Sequence, residues 1–471
     1  MTNKPIESKV ISDLLRTQAL DWALYEQAKN YALDYMKTVL DRPVYPTDAA
    51  IKNLAVFREK LPDQPADPYR VLEKLHQFGS PATVAQTGGR YFGFVNGGIL
   101  PTALAAKWLV DVWDQNAALY VISPVVSVLE EVCEGWLVDL LGLPPNTAAG
   151  FVSGTSTASL CGLVAGRDHL LRRKGWDVSS RGLFGAPEIR VVLGSGAHST
   201  VYKALSILGL GKDRLISVPT DEQGWMRADL LPELDNNTLL ILQAGNVNSG
   251  AFDPFVEICT KARAADAWVH IDGAFGLWAA ASPKLKHLTQ GIELADSWSV
   301  DAHKTLNAPY DSGLILCRHR ESLTQALHMT GSYIIYSENR DGMLYSAEMS
   351  RRARAVELWA TLMALGRSGV AGLIEDLQEK AAYFADCLRN EGFAILNEVC
   401  FNQVLVASDD SQQTKEMLKL IQSSGECWCG GASWQGTDVI RISVCSYRTT
   451  RQDIEQSVRA FVAAREKVRA G

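Results

Sequence analysis

AWVHIDGAF, residues 267–275, is an apolar run that stops on a carboxylate, Asp272, and is followed at once by the small residues Gly273 and Ala274. A short apolar stretch ending in this way reads as a strand buried on both faces, with its last residue turned toward a binding crevice. Similar runs stand on either side, EIRVVLGS (188–195), TLLILQAG (238–245) and SGLILC (312–317), with helical segments between them. Strands of four to six residues that alternate with helices predict a mostly parallel sheet, hence an α/β domain.

Outward from this block the pattern changes. Residues 1–60 read as helical, with Leu14, Leu15, Ala19, Leu20, Trp22, Ala23 and Leu24 near helical period, and LPDQPADPYR (61–70) follows as a linker. SRRARAVELWATLMALGRSG (350–369) reads as a long helix and IEDLQEKAAYFADCLRNEG (374–392) as another, closed by a glycine. FAILN, QVLVA and DVIRISV then supply strands, and TKEMLKLIQSSG and the last 20 residues supply helices. The expected organisation is an N-terminal arm and linker (1–90), a large α/β domain (91–325), and a smaller α+β domain (326–471) that begins with a mobile loop.

A chain of 471 residues with 47% hydrophobic side chains can bury a large core. Its 46 basic and 53 acidic residues give a net charge of -7 without long runs of one sign, which argues against nucleic acid or an anionic membrane as the main partner. No stretch approaches the roughly 18 apolar residues of a membrane span, and MTNKPIESKV lacks the layout of a signal peptide, so a cytoplasmic protein is expected. The nine scattered cysteines read as reduced thiols. Cys427 and Cys429 form a C-x-C; without a second Cys/His cluster this reads as packing or a tight turn before Gly430-Gly431 rather than as half of a zinc site, and no metal is expected.

Four sites in the α/β block acquire meaning together. Gly154-Thr155-Ser156-Thr157 follows a strand-like run and opens a helix, where hydroxyls and free N–H groups can hold a phosphate; read alone it is an ordinary N-cap. His198 stands between a strand and a helix, where a flat imidazole can cover an aromatic ring, although a lone histidine at such a junction is more often structural. Asp272 could hold a proton on a pyridine nitrogen, with Ala274 small enough to let a ring lie flat, but it could equally serve a metal or a ribose. Lys304, preceded by His303 and 32 residues beyond Asp272, sits among Trp, His and small residues, where a desolvated amine can form a Schiff base; in isolation it would be a surface lysine. In this order they are the parts that pyridoxal 5'-phosphate requires: a phosphate anchor, a ring cover, a nitrogen partner and a tether for the aldehyde. A nucleotide-binding protein would need a G-x-G-x-x-G fingerprint or a P-loop, and neither stands at 154.

With these residues in view, the chain resembles the group II pyridoxal-phosphate-dependent amino-acid decarboxylases, the family of the aromatic-amino-acid, glutamate and diaminobutyrate decarboxylases, built on the aspartate-aminotransferase fold (fold type I). The likeness runs through YFGFVNGG (91–98), GTSTAS (154–159), AHSTVYKA (197–204), GNVNSGAFDP (245–254), HIDGAFG (270–276), the His303-Lys304 pair and IRISVCSY (440–447), with Asn246 where the family usually has threonine. It implies a large domain around a seven-stranded sheet, a homodimer with the active site at the subunit interface, and an N-terminal arm that embraces the partner. It further implies Lys304 as the covalent tether, His198 as the stacking residue and Asp272 as the pyridinium partner. Thr155 and Ser156 would hold the phosphate, with a contribution from His303, and Asn246 and Ala274 would lie against the cofactor.

The implied reaction is α-decarboxylation of an L-amino acid to the amine and CO2. Aminotransfer, Cα–Cβ lyase action and decarboxylation coupled to oxidative deamination would use nearly the same residues. Thr305-Leu-Asn-Ala-Pro-Tyr-Asp replaces the bulky aromatic that often follows the lysine. The loop that carries a proton-donating tyrosine in the family corresponds to residues 331–354, with Tyr333, Tyr336 and Tyr345 as candidates and Tyr345 favoured by its place before SRRAR; all three could simply pack. Phe92, Phe94 and Val95 suggest an apolar substrate wall, Asn96 and Asn116 a polar element near it, and Arg441 either a substrate-carboxylate ligand or a structural residue.

Overall fold

The computed structural model describes residues 8–329, 331–332, 334 and 336–470. In chain order the strands are β1 (Tyr91–Phe92), β2 (Ala148–Val152), β3 (Arg190–Gly194), β4 (Ile216–Val218), β5 (Thr238–Gln243), β6 (Trp268–Asp272), β7 (Ser297–Asp301), β8 (Gly313–Cys317), β9 (Ala394–Ile395), β10 (Gln403–Ala407), β11 (Trp428–Trp434) and β12 (Thr437–Ser443). Seven of them form the large sheet in the order β2-β8-β7-β6-β5-β3-β4. Only β8 runs against its neighbours; every other pairing in this sheet is parallel.

The continuous apolar runs follow from burial on both faces. Leu240 and Leu242 of β5 point into one core with Val269, Ile271, Trp298 and Val300, while Leu239 and Ile241 point into another with Val191, Leu193 and Trp268. The helix Thr155–Arg172 covers the second face closely enough that a Cβ on Gly162 would meet the His270 ring at 2.8 Å.

The small sheet has the order β1-β11-β12-β10-β9. Two local expectations change here. Tyr91 and Phe92, read as the start of the large domain, pair in parallel with Trp428 and Cys429 of the small sheet. Gly430 and Gly431, read as following a tight turn, lie inside β11 and pair with Arg441 and Ile440, because tertiary pairing overrides the weak strand propensity of glycine. Cys427 and Cys429 are both buried in the small-domain core. The two helices expected over 350–392 form one element, Ala355–Asn390, broken at Gly366 (φ 59°). Its first half packs into the large core through Leu358, Leu362, Val370 and Ile374 and its second half into the small core through Leu377, Ala381 and Phe384, so by packing the two units divide inside this helix.

The segment after β8 is pinned by buried charge. Glu130 lies 3.0 Å from Arg340 and 2.6 Å from Arg351, and Glu134 lies 2.8 Å from Arg340, all in the interior. Among the described residues no helix is long and apolar enough to cross a membrane, and no group of three or more His, Cys, Asp or Glu could hold a metal ion.

Candidate active site

Adjacent parallel strands β6 and β7 end on Asp272 and Asp301, so both carboxylates stand at the carboxyl edge of the sheet, where open α/β sheets place their crevice. Asp272 is buried and accepts the Ala274 N–H at 3.2 Å. His198 leaves β3 and caps the helix Ser199–Ile207; its Nδ1 accepts the Thr200 N–H (3.4 Å) and lies 2.7 Å from Thr200 Oγ1. Loss of hydration raises the pKa of Asp272 and lowers that of His198, and each of the two charges favours the other.

Lys304 follows β7 directly, and its Nζ lies 2.9 Å from Asp301 Oδ2. The second oxygen of Asp301 accepts the Thr155 N–H at 2.6 Å, so one carboxylate joins the lysine to the start of the helix Thr155–Arg172. His303 Nδ1 accepts the Ser312 N–H at 3.1 Å, which leaves Nε2 facing Asp301 Oδ2 at 3.6 Å. Burial holds His303 below the usual imidazole range. Thr155 Oγ1 is buried and has no hydrogen-bond partner within the protein, whereas Ser156 is exposed in the same turn. An orphan hydroxyl at a helix N-terminus suits a phosphate, and the neighbouring amine and buried carboxylate complete the donor set that pyridoxal phosphate needs.

The segment 96–98 is fastened to the lysine loop by a residue that the sequence reading passed over. Asn307, in the left-handed region (φ 58°), accepts the Gly98 N–H (2.6 Å) and the Tyr447 N–H (3.0 Å) and donates to the carbonyl of Cys445 (3.0 Å). Gly97 packs against the Lys304 carbonyl with no room for a Cβ. Tyr310 lies over His303 (centroids 4.2 Å apart) and donates to Asn96 Oδ1 at 2.9 Å. Asn307 and Asp301 were both missed; the available signals were an asparagine in a turn of the lysine loop and a carboxylate at a strand end three residues before Lys304.

The expected substrate wall is only partly present. Phe92 is fully buried in the small-domain core and packs edge-on against Phe384, and Val95 is buried in the large core, so neither faces a crevice. Phe94 is exposed and stacks on Trp428, which in turn stacks on Tyr91. Asn116 bonds to Ser350 and to the Ala118 and Arg351 N–H groups, beside the segment after β8. Asn246 is buried and accepts from Asn248 and Ser249 N–H while reaching the Gly196 carbonyl at 3.5 Å, so its contacts within the chain support the loop that bears His198. Ala274 is half-buried next to Asp272.

Arg441, on β12, donates to the Val247 carbonyl at 3.2 Å; its Nε is buried without a partner, and it has no ion pair among the described residues. Burial lowers its pKa, and its charge is felt at His198. Tyr345 is not brought to this cluster. Its hydroxyl accepts from Arg320 (2.9 Å) and its ring lies under the Arg340 guanidinium (4.0 Å), at the edge of the sheet where β8 ends and β7 begins. Tyr336 bonds to the Met329 carbonyl, and Tyr333 lies outside the described residues.

A lysine, a buried carboxylate and an unsatisfied hydroxyl at a helix N-terminus, gathered at one sheet edge, coincide with a match of residues 52–407 to the pyridoxal-dependent decarboxylase conserved domain. The chain belongs to the pyridoxal-dependent decarboxylase family, and pyridoxal phosphate is its cofactor. This decarboxylase-family chain is 26% identical over 465 residues to an aromatic-L-amino-acid decarboxylase of Bacillus atrophaeus, covering 94% of this chain and 95% of that one. It is 26% identical over 362 residues to a 4-hydroxyphenylacetaldehyde synthase of Rhodiola rosea, covering 71% and 72%. Its fold matches that of Oryza sativa TDC, solved with PLP and tryptamine, with a TM-score of 0.86, 21% identity and coverage of 98% and 99%. The expected fold type I architecture, with its mostly parallel large domain and smaller C-terminal domain, is thereby shown.

Proposed function

We propose that this enzyme decarboxylates an L-amino acid to the corresponding amine and CO2, with Lys304 as the covalent tether. Bound pyridoxal phosphate supplies an electron sink for the pair left at Cα. The carrying observation is the buried Asp272, which shares a crevice edge with Lys304 and whose charged form is supported by His198. A carboxylate there holds a proton on the pyridine nitrogen, and that proton gives the ring its withdrawing power. The His198 imidazole covers the ring face, while Thr155 and Ser156 hold the phosphate. Asp301 orients the Lys304 amine and, with His303, offers a place for its proton. Asn246 and Ala274 line the ring's surroundings.

The amine-forming reading agrees with the decarboxylase name of the Bacillus relative. Two observations keep other bonds at Cα in play. A relative is named as an aldehyde synthase, which points to decarboxylation coupled to oxidative deamination. Arg441, a part-buried cation with an unpartnered Nε and no counter-ion among the described residues, suits a carboxylate that is retained, as in aminotransfer. The substrate is an amino acid, and the aromatic stack of Phe94 and Trp428 favours an apolar side chain.

A homodimer accounts for exposed apolar side chains on the arm helices and the joint between them (Leu15, Leu20, Trp22), on the helix 101–113 (Leu109, Val112) and in the turn 120–122 (Val121). The division into arm, large domain and small domain, and a cytoplasmic setting within amino-acid metabolism, belong to the same proposal. The test is mass-spectrometric product analysis of PLP-loaded enzyme with each amino acid, aerobically and anaerobically, with Lys304→Ala as control. An amine one CO2 lighter that is absent from the control supports decarboxylation, whereas an aldehyde or keto acid assigns one of the alternatives. Yellow protein that borohydride fixes at Lys304 supports the tether; colourless protein after PLP loading overturns it.

A further inference from the structure

At the edge of the large sheet away from Lys304, the C-terminal end of the helix Thr155–Arg172 meets the segment that follows β8. The length of β6, five residues or about 13 Å, separates this edge from Asp272. A cleft of about 870 Å³ opens here into a second of about 300 Å³; the two share His169, Arg173, Arg318 and His319 as lining. Arg172 and Arg320 also border the larger space and Arg263 the smaller one.

Some of this positive charge is already neutralised. Arg173 pairs with Asp266, Arg320 with Glu134, and His319 with Asp296 at 3.0 Å. Arg172, Arg263 and Arg318 have no ion-pair partner among the described residues; Arg318 has only a long contact to the Glu293 carbonyl at 3.5 Å. Glu321 is the remaining carboxylate on the wall of the larger space. The floor is organised: His169 is held by Ser322 Oγ at 2.9 Å, its ring lies 5.3 Å from that of His319, and both imidazoles rest against Trp268. This excess of cations stands on a chain whose net charge is -7, so it is a local concentration against the overall sign. Like charges crowded at a concave surface repel one another, and a bound anion removes that repulsion. Guanidinium groups match the oxygens of phosphate and carboxylate in shape as well as charge.

We propose that this cleft is a second ligand site, separate from the cofactor crevice, which takes a small multivalent oxyanion: a phosphorylated or polycarboxylate metabolite held between Arg172 and Arg318, with the free nitrogen of His169 contributing from the floor. Its position behind the strands that carry Asp272 and Asp301 makes it suited to a ligand that modulates the enzyme without competing for the active site.

The test is calorimetric titration of PLP-saturated enzyme in low-salt, phosphate-free buffer with two probes, inorganic pyrophosphate and citrate. The expected result is saturable binding of one equivalent per chain, weakened at least about tenfold in an Arg172→Gln/Arg318→Gln double variant, as removal of two charge-assisted contacts requires. Both side chains lie outside the cofactor site, so colour and basal turnover should stay at the parent level. The stronger of the two probes identifies phosphate or carboxylate chemistry as the source. No saturable binding of either probe by about 1 mM, or equal binding by parent and double variant, overturns the proposal.

Discussion

Asp301 touches Lys304 and the start of the helix Thr155–Arg172 at once: Oδ2 lies 2.9 Å from Lys304 Nζ and Oδ1 accepts the Thr155 N–H at 2.6 Å. The proposed tether and the proposed phosphate anchor are thus joined by one buried side chain. Asp301→Asn removes the counter-charge and leaves the lysine partly enclosed without a partner. The affinity for pyridoxal phosphate should fall about tenfold or more. A titration followed by visible absorbance checks this; an unchanged affinity would mean that the pair is incidental.

Asp272→Asn keeps the shape of the side chain and removes its charge. The variant should still bind cofactor and turn yellow, because Lys304 and Thr155 are untouched, while kcat drops by roughly 10²-fold or more as the ring nitrogen loses its proton. Steady-state kinetics alongside the absorbance spectrum separates the two effects.

His270, fully buried on β6, is pushed down to about 3 by loss of hydration. The unfolded chain takes up a proton below the ordinary value of about 6.5 and the native imidazole does not, so the stability tied to His270 is complete above that pH. It is lost on acidification toward 3 at about 1.4 kcal/mol per pH unit. Asp253, pushed up to about 6 by burial, acts with the opposite sign: its native proton favours the fold below about 4, and that contribution is lost as pH rises through 6. Between pH 6.5 and 4.5, His270→Gln should therefore lose about 2–3 kcal/mol less stability than the parent, measured by urea unfolding at each pH.

Arg441→Gln removes a part-buried cation that has no carboxylate partner among the described residues and whose Nε is buried without a hydrogen bond. Stability should hold or rise slightly, since an uncompensated buried charge is unfavourable. If the guanidinium receives a substrate carboxylate, KM should rise at least about tenfold. Rescue by Arg441→Lys in part, but not in full, would agree with a planar two-point contact.

Tyr345→Phe retains the ring beneath Arg340 and loses the bond from Arg320, for an expected cost of about 1 kcal/mol. Because the hydroxyl is engaged at the edge of the sheet remote from the Lys304 of its own chain, the amine should remain the main product. A switch from amine to aldehyde would return Tyr345 to the proton-donor role that its position in the loop suggested.

The large-domain strands and the residues at their ends were legible without coordinates, because a buried strand announces itself as a short apolar run and its end as the next charged or small residue. Asp272, Lys304, His198 and Thr155 could be named on that basis and set in order by the needs of one cofactor. Residues whose roles depend on distant partners could not. Asn307 matters through the Cys445 carbonyl, 138 residues away, and Phe92 passed for a pocket residue until Phe384 covered it. Tyr345 was drawn toward the chemistry by its neighbours in the chain and placed elsewhere by Arg320 and Arg340. Local periodicity and strand-end chemistry are properties of consecutive residues, so the sequence by itself determined the sheet and the kind of cofactor. Which polar group is paired, buried or left free is decided by contacts between segments hundreds of residues apart, and those exist only once the two cores have packed.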